Sequence, residues 1–180
     1  LGYVPDPRSI YRGIFKLPPG HWLSWHAGEA EPVPRQYWDV PFTVAADMTA
    51  DEAAAQLHDL LDDAVAGQMI ADVPLGAFLS GGVDSSAVVA SMSRVSQRPV
   101  RTCSIGFDHA GFDETVQARC VAEHLHTQHF ERRVSADDYD LLDTLATVYD
   151  EPFADSSALP TYRVCGLART QVTVALSGDG

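Results

Sequence analysis

The spacing of apolar and polar positions changes near residue 47. Before it, Pro5, Pro7, Pro18 and Pro19 are interleaved with Tyr3, Tyr11, Phe15, Trp22, Trp25 and Trp38, and no helical period appears. His21 to Trp25 alternates weakly, which predicts a short strand, and Pro32, Pro34 and Pro41 break whatever follows. Residues 1–46 read as strand, turn and linker, with aromatics suited to packing a domain junction. From Thr49 onward, helical and strand patterns alternate. Thr49-Ala50-Asp51-Glu52 has the form of a capping box, and Leu57, Leu60, Leu61, Ala64, Val65 and Met69 behind it fall on one helical stripe. Val73 to Leu79 predicts a strand, Ser80-Gly81-Gly82 a turn, and Ser85 to Val95 a helix. Further strands are predicted at Arg101–Phe107, Gln128–Val134 and Gln171–Leu176. Helices are predicted at Asp113–Leu125, with Val116, Cys120, Val121 and Leu125 inward, at 135–149 with Ser135 as cap, and at about Ala158–Ala168. Strands joined by single helices predict an α/β fold: a parallel sheet with right-handed crossovers and helices on both faces.

Composition narrows the partners. The 180 residues hold 12 basic and 25 acidic side chains, a formal charge of −13, which argues against a nucleic-acid binder that must neutralise phosphates. An apolar share of 46% with 21% charged residues is that of a globular protein. No apolar run approaches the ~20 residues of a membrane span, and Leu1 opens no signal-peptide pattern. Cys103, Cys120 and Cys165 are too scattered for a disulfide framework or a zinc site, so a reduced, cytoplasmic setting is expected. Lys16 is the only lysine.

The chemistry concentrates in Leu79-Ser80-Gly81-Gly82-Val83-Asp84-Ser85-Ser86, between a predicted strand and a predicted helix. Gly81 and Gly82 can adopt φ > 0 and let the main chain approach an anion. The helix N-terminus offers free N–H groups, and Ser80, Ser85 and Ser86 add hydroxyls. A helix terminus contributes only about 0.3–2 kcal/mol toward an anion, too little for a pyrophosphate. A divalent cation should share that task, and Asp84 is the carboxylate within reach of Mg²⁺. The plainer alternative is a glycine turn with Asp84 capping a helix. The Walker loop is excluded because Gly82 and Val83 stand where Lys and Ser/Thr are needed. No G-x-G-x-x-G fingerprint and no G-x-S-x-G elbow occurs.

Ser80 to Ser85 resembles the pyrophosphate loop of the ATP-pyrophosphatase superfamily, whose members adenylate a carboxylate or carbonyl and release pyrophosphate. Further stretches point to one branch, the glutamine-dependent asparagine synthetases. Pro18-Pro19-Gly20-His21-Trp22-Leu23 resembles the segment closing their glutaminase domain. Glu151-Pro152-Phe153-Ala154-Asp155-Ser156-Ser157-Ala158-Leu159-Pro160-Thr161-Tyr162 resembles their acidic mid-domain motif, and Val174-Ala175-Leu176-Ser177-Gly178-Asp179-Gly180 the start of their second substrate loop. The resemblance implies a Rossmann-like, adenine-nucleotide α-hydrolase-type fold, incomplete at its C-terminus. It implies that 1–46 is the tail of a glutaminase domain with its linker, and 47–180 the first part of a synthetase domain.

The resemblance also implies roles. Phe78, Leu79, Ser104, Ile105 and Gly106 would surround the adenine, although Ile105 alone reads as a core strand residue. Ser80, Gly81, Gly82, Asp84, Ser85 and Ser86 would hold the pyrophosphate, with Asp84 on the metal. Ser177 and Gly178 would contact the nucleotide, and Asp179 would lie near the amino-acid carboxylate, so that Asp84 and Asp179 are the catalytic candidates. Phe112-Asp113-Glu114 resembles a family stretch opening the helix after the second strand, and reads as an acidic helix N-terminus ahead of a direct role. The implied substrates are ATP, aspartate, and ammonia or glutamine in the full-length enzyme; a homodimer is left open. A lactam synthetase joining an internal amine and a non-catalytic nucleotide-binding module are the alternatives.

The family's glutaminases use an N-terminal cysteine, and this chain begins Leu1-Gly2, so no glutamine hydrolysis is expected of this polypeptide. The family's further acid and lysine fall past Gly180, so weak ATP–Mg binding without turnover is expected. His124-Leu125-His126-Thr127-Gln128-His129 reads as structural rather than metal-binding, and Asp137, Asp138, Asp140 and Asp143 as a solvated helix face.

Overall fold

The computed structural model describes residues 2–43, 47–108, 113–134 and 141–178. The chain divides into two compact units, Leu1–Asp47 with Leu142–Ser156, and Met48–Leu141 with Ser157–Gly180.

In the first unit, β1 (His21–Trp22) and β2 (Arg35–Gln36) form a short antiparallel pair, His21 opposite Gln36. The Tyr37 and Trp38 N–H groups donate to the Gly20 carbonyl and close this hairpin (2.8 and 3.2 Å). Lys16 ties the unit together, pairing with Glu151 and donating to the Val4 carbonyl at 2.7 Å. The Ala154 N–H reaches the Gly2 carbonyl at 2.7 Å, and Tyr149 stacks on Phe153 with ring centroids 4.6 Å apart. Trp22, Trp25 and Trp38 are about half exposed (45%, 53% and 56%).

The second unit is a Rossmann-like α/β layer structure. Its elements are α1 (Ala50–Gln68), β3 (Leu75–Phe78), α2 (Val83–Val95), β4 (Arg101–Phe107), α3 (Thr115–His124), β5 (Gln128–Val134), α5 (Ala158–Ala168) and β6 (Val174–Leu176). Helix α4 (Leu142–Val148) belongs to the first unit. The four strands are all parallel, in the order β5-β4-β3-β6, with Ala77 beside both Thr102 and Leu176. Alternation along β3 sets the two faces. Ala77 and Leu79 join a core with Val65, Val89, Met92, Val100, Ala118 and Ala122 of α1, α2, α3 and the strands. Phe78 faces the opposite side, where Cys103, Val164, Leu167 and Ala168 bring α5 onto the sheet.

The capping box forms: the Glu52 N–H donates to Thr49 Oγ1, and the Thr49 N–H donates to Glu52 Oε2 (3.3 and 2.9 Å). The apolar stripe behind it is narrower than expected. Leu57 and Leu60 are exposed, whereas Leu61, Val65 and Met69 pack on the core, because only the C-terminal half of α1 lies against α2. There Asp62 accepts from Ser91 Oγ and from Arg94 (Nε 2.9 Å, Nη2 2.5 Å), and these donors hold its carboxyl down at a pKa of about 2. On α3 the inward side is corrected in part: Val121 and Leu125 pack on the core as expected. Val116 and Cys120 are exposed and Thr115, Ala118 and Ala122 are buried, because close approach to the sheet selects small side chains.

Several boundaries shift. β3 begins at Leu75, after Pro74, and β6 at Val174, since the Gln171 and Val172 N–H groups are spent on the Ala168 carbonyl (2.8 and 2.7 Å). Ser135, Asp137, Asp138 and Asp140 lie outside the described residues, and the helix expected there is described from Leu142. No helix among the described residues is long and apolar enough to cross a membrane.

Candidate functional site

The chain runs β3, β4, β5 outward in one direction, and β6 then returns to the other side of β3. The C-terminal ends of β3 and β6 therefore flank a topological switch point, where open α/β sheets leave a crevice for ligands. A cleft of about 380 Å³ opens there.

One wall is the loop from β3 into α2. Gly81 takes φ +85°, and a Cβ on it would stand 2.6 Å from both the Ala118 nitrogen and Gln117 Cβ, so only glycine fits. Gly82 differs from expectation. Its φ is −69°, and a Cβ there would meet nothing closer than Ser80 Oγ at 3.3 Å, so it needs no glycine-only conformation. Gly82 instead serves as the N-cap of α2, and it offers no side chain to that end. The first N–H groups of the helix are thereby left for a ligand. Ser80 and Ser85 hydroxyls bond each other at 2.9 Å, and the Ser80 and Gly82 N–H groups donate to Ser85 Oγ (3.3 Å) and Ser80 Oγ (3.2 Å). Gly178, after β6, packs so closely on this end that a Cβ would lie 2.5 Å from the Ser85 nitrogen. Asp84 lines the cleft and is exposed.

The cleft gathers Phe78, Leu79, Ser80, Gly82, Asp84, Ser85, Ser104, Ile105, Ser177 and Gly178 of the expected residues. Gly81, Ser86 and Gly106 do not line it. Gly81 and Gly106 act from behind by letting α3 approach, and Ser86 Oγ is buried with no hydrogen-bond partner among the described residues. Asp179 lies outside the described residues.

The other wall was not foreseen. Pro160, Thr161 and Val164 of α5, together with Cys103, Phe107 and Glu114, complete the cleft. Only the alternation of β4, which puts Cys103, Ile105 and Phe107 on one side, hinted at part of it. Burial pushes the Cys103 thiol up to a pKa of about 11, so it is an apolar wall group and not a nucleophile.

Of the histidine cluster, His126 and His129 line a shallow pocket between α3 and β5 with Glu123 and Glu131. His129 sits half-buried, its Nδ1 2.9 Å from Thr102 Oγ1 and its Nε2 3.2 Å from Ser104 Oγ. Burial holds its pKa below the usual imidazole value, with Arg119 acting in the same direction and Glu131 against it. No group of three or more His, Cys, Asp or Glu side chains placed to hold a metal occurs among the described residues.

The asparagine synthase family model matches residues 56–180. The chain belongs to the asparagine synthase family. A putative glutamine-hydrolyzing asparagine synthetase 2 of Methanocaldococcus jannaschii is 40% identical over the whole of this chain, which spans 35% of that protein. A putative glutamine-hydrolyzing asparagine synthetase of Mycobacterium bovis is 38% identical over 100% of the chain and 28% of its own length. The glutamine-hydrolyzing asparagine synthetase 1 of Bacillus subtilis is 32% identical over 99% of the chain and 28% of its own length. The chain thus spans about a third of the length of these curated relatives. Among solved structures, NMN synthetase from Francisella tularensis is similar over 74% of this chain and 56% of its own, at 16% identity and a TM-score of 0.47.

Proposed function

We propose that the second unit is the ATP-binding part of an amide-forming ligase that makes asparagine. The carrying observation is the corner where an N-cap without a side chain, the positive-φ Gly81, the Ser80–Ser85 hydroxyl pair and Gly178 converge beside Asp84. Ser80, Gly82, Ser85 and the first N–H groups of α2 would hold the phosphates. Phe78, Ile105, Phe107 and Val164 would hold the base, with Ser104 below it. Asp84 makes no side-chain hydrogen bond or ion pair among the described residues, and its oxygen-rich surroundings suit a hard cation. It is the residue that would hold Mg²⁺, which when bound neutralises phosphate charge.

In the reaction proposed, an oxygen of the aspartate side-chain carboxylate attacks the α-phosphorus of ATP and pyrophosphate leaves. Ammonia, drawn from glutamine in the whole protein as its relatives' names suggest, then displaces AMP from the acyl-adenylate. This chain's contribution is to hold the departing pyrophosphate with fixed donors and to limit water at the adenylate. Residues 1–46, on the likeness of Pro18 to Leu23, are proposed as the end of the glutaminase domain and its linker.

Calorimetric titration of the chain with ATP and Mg²⁺ tests this reading. Saturable binding of one nucleotide, lost when Mg²⁺ is chelated and weakened by Asp84→Asn, is expected. Absence of binding, or equal binding with and without the metal, overturns it.

A further inference from the structure

Of the described side chains lining the cleft, Asp84 and Glu114 are the carboxylates, and the phosphate corner accounts only for Asp84. The acidic start of α3 is explained by Asp113 alone. Its Oδ1 accepts from the Thr115 N–H at 3.2 Å and from Thr115 Oγ1 at 2.7 Å, and its Oδ2 accepts from Arg133 at 3.0 Å. These donors hold the Asp113 carboxyl below the usual range, the Thr115 hydroxyl most. The Glu114 carboxylate makes no hydrogen bond or ion pair among the described residues and is exposed.

Its backbone is nonetheless fixed. The Glu114 carbonyl accepts from the Ala118 N–H at 3.0 Å. Gly106 admits the start of α3, since a Cβ there would stand 2.6 Å from Thr115 Cγ2 and 2.9 Å from Asp113 Oδ1. Gly81 admits the next turn. Arg119 clamps α3 to β5 through both oxygens of Glu131 (3.2 and 2.9 Å). A free carboxylate is thus carried on a rigid mount at the edge of a cleft suited to a polyanion. There it repels the ligand unless it meets a cation or a hydrogen-bond donor.

Position decides between these. The phosphate corner lies at the ends of β3 and β6, whereas Glu114 follows the end of β4 and shares its part of the wall with Ile105 and Phe107. In nucleotide-binding α/β sheets, an acid beyond the strand adjacent to the phosphate-loop strand is placed to accept ribose hydroxyls. We propose that Glu114 is a specificity-determining residue that accepts a hydrogen bond from the ribose 2′-hydroxyl of the bound nucleotide. The inference rests on the nucleotide reading of the cleft and adds to it the selection of ribo- over deoxyribonucleotides.

The test titrates the chain and its Glu114→Gln variant with ATP and with 2′-deoxyATP, each with Mg²⁺, after thermal melting has shown that the variant folds. The chain should prefer ATP by about tenfold or more, the scale of a hydrogen bond to a charged group. Glu114→Gln should weaken ATP by about the same factor and move 2′-deoxyATP by less than about twofold, erasing the preference. Glu114→Asp, which keeps the charge on a shorter arm, should retain part of it. A preference unchanged in Glu114→Gln overturns the inference and leaves the cleft reading standing. So does a variant that keeps the preference but loses dependence on Mg²⁺, since Glu114 would then be a metal ligand. If the unaltered chain binds neither nucleotide, the cleft reading itself is overturned.

Discussion

The two walls of the cleft are made of different materials. The wall at β3 and β6 is backbone N–H groups, hydroxyls and glycines, with Gly81 and Gly178 needed because other atoms press within 2.6 Å of where a Cβ would be. The wall at β4 and α5 is mainly apolar, made of Ile105, Phe107, Pro160, Val164 and the buried Cys103, with Ser104, Thr161 and Glu114 as its polar members. A phosphate has directional acceptors and charge and is met by fixed donors, whereas an aromatic base is met by shape and apolar area. Changes in the first wall should therefore act sharply and depend on Mg²⁺. Changes at the apolar groups of the second should act mildly and without regard to the metal.

The largest effect is expected at Gly81. Gly81→Val forces a branched side chain into φ +85° and against the α3 backbone. Strain of about 1–3 kcal/mol corresponds to roughly 5- to 150-fold weaker ATP binding if it is relieved by moving the loop. Gly82→Ala, one residue on, should change binding by less than about threefold, because Gly82 has an ordinary φ of −69°. Equal effects at the two glycines in calorimetric titrations would break the account of this wall.

Asp84→Asn comes next. It should weaken ATP with Mg²⁺ by about tenfold and leave metal-free ATP unchanged or slightly tighter, since a charge facing the phosphates has been removed. Val164→Ala should cost about three- to tenfold through lost apolar contact, by the same factor with and without Mg²⁺. A metal-dependent effect at Val164 would erase the distinction between the walls.

The smallest effect on binding should come from the scaffold below both. Asp62, with its carboxyl at a pKa of about 2 under Arg94 and Ser91, favours the folded state at every pH above its ordinary value near 3.8. Because the folded-state pKa is the lower, this contribution is lost as pH falls from about 4 toward 2. Asp62→Asn should lower the melting temperature at pH 7 and flatten its fall between those pH values, while ATP affinity at pH 7 stays within about twofold. A variant whose melting temperature falls as steeply in acid as the parent's would remove Asp62 from this role.

Legibility followed the same division. Ser80 to Ser85 could be read because its chemistry is local: glycines, hydroxyls and a helix start within a few residues of one another. The strand Arg101–Phe107 could be read because a largely buried parallel strand is a short run of mostly uncharged residues between turns, whereas Gln128–Val134, at the edge of the sheet, is mostly polar and only part-buried. The α5 wall could not, because Pro160 and Val164 meet Ile105 only after the chain has crossed the sheet. The inward face of α3 was misplaced at Val116 and Cys120 for a related reason. Patterning favours large apolar residues such as Val116, whereas the tight approach around Gly81 and Gly106 demands Ala118 and Thr115. The membership of Leu142–Ser156 in the first unit depends on Lys16 reaching Glu151, a pairing far apart in sequence and without periodicity.

The central claim, that phosphates are held by the backbone at the β3–β6 end of the sheet, is tested most directly by amide NMR of the ¹⁵N-labelled chain titrated with ATP and Mg²⁺. The account predicts the largest shifts at the N–H groups of Ser80 to Ser86 and of Ser177 and Gly178. Smaller shifts are expected at Ser104 to Phe107 and at Val164. Shifts confined to other parts of the chain, or none at saturating nucleotide, would contradict it.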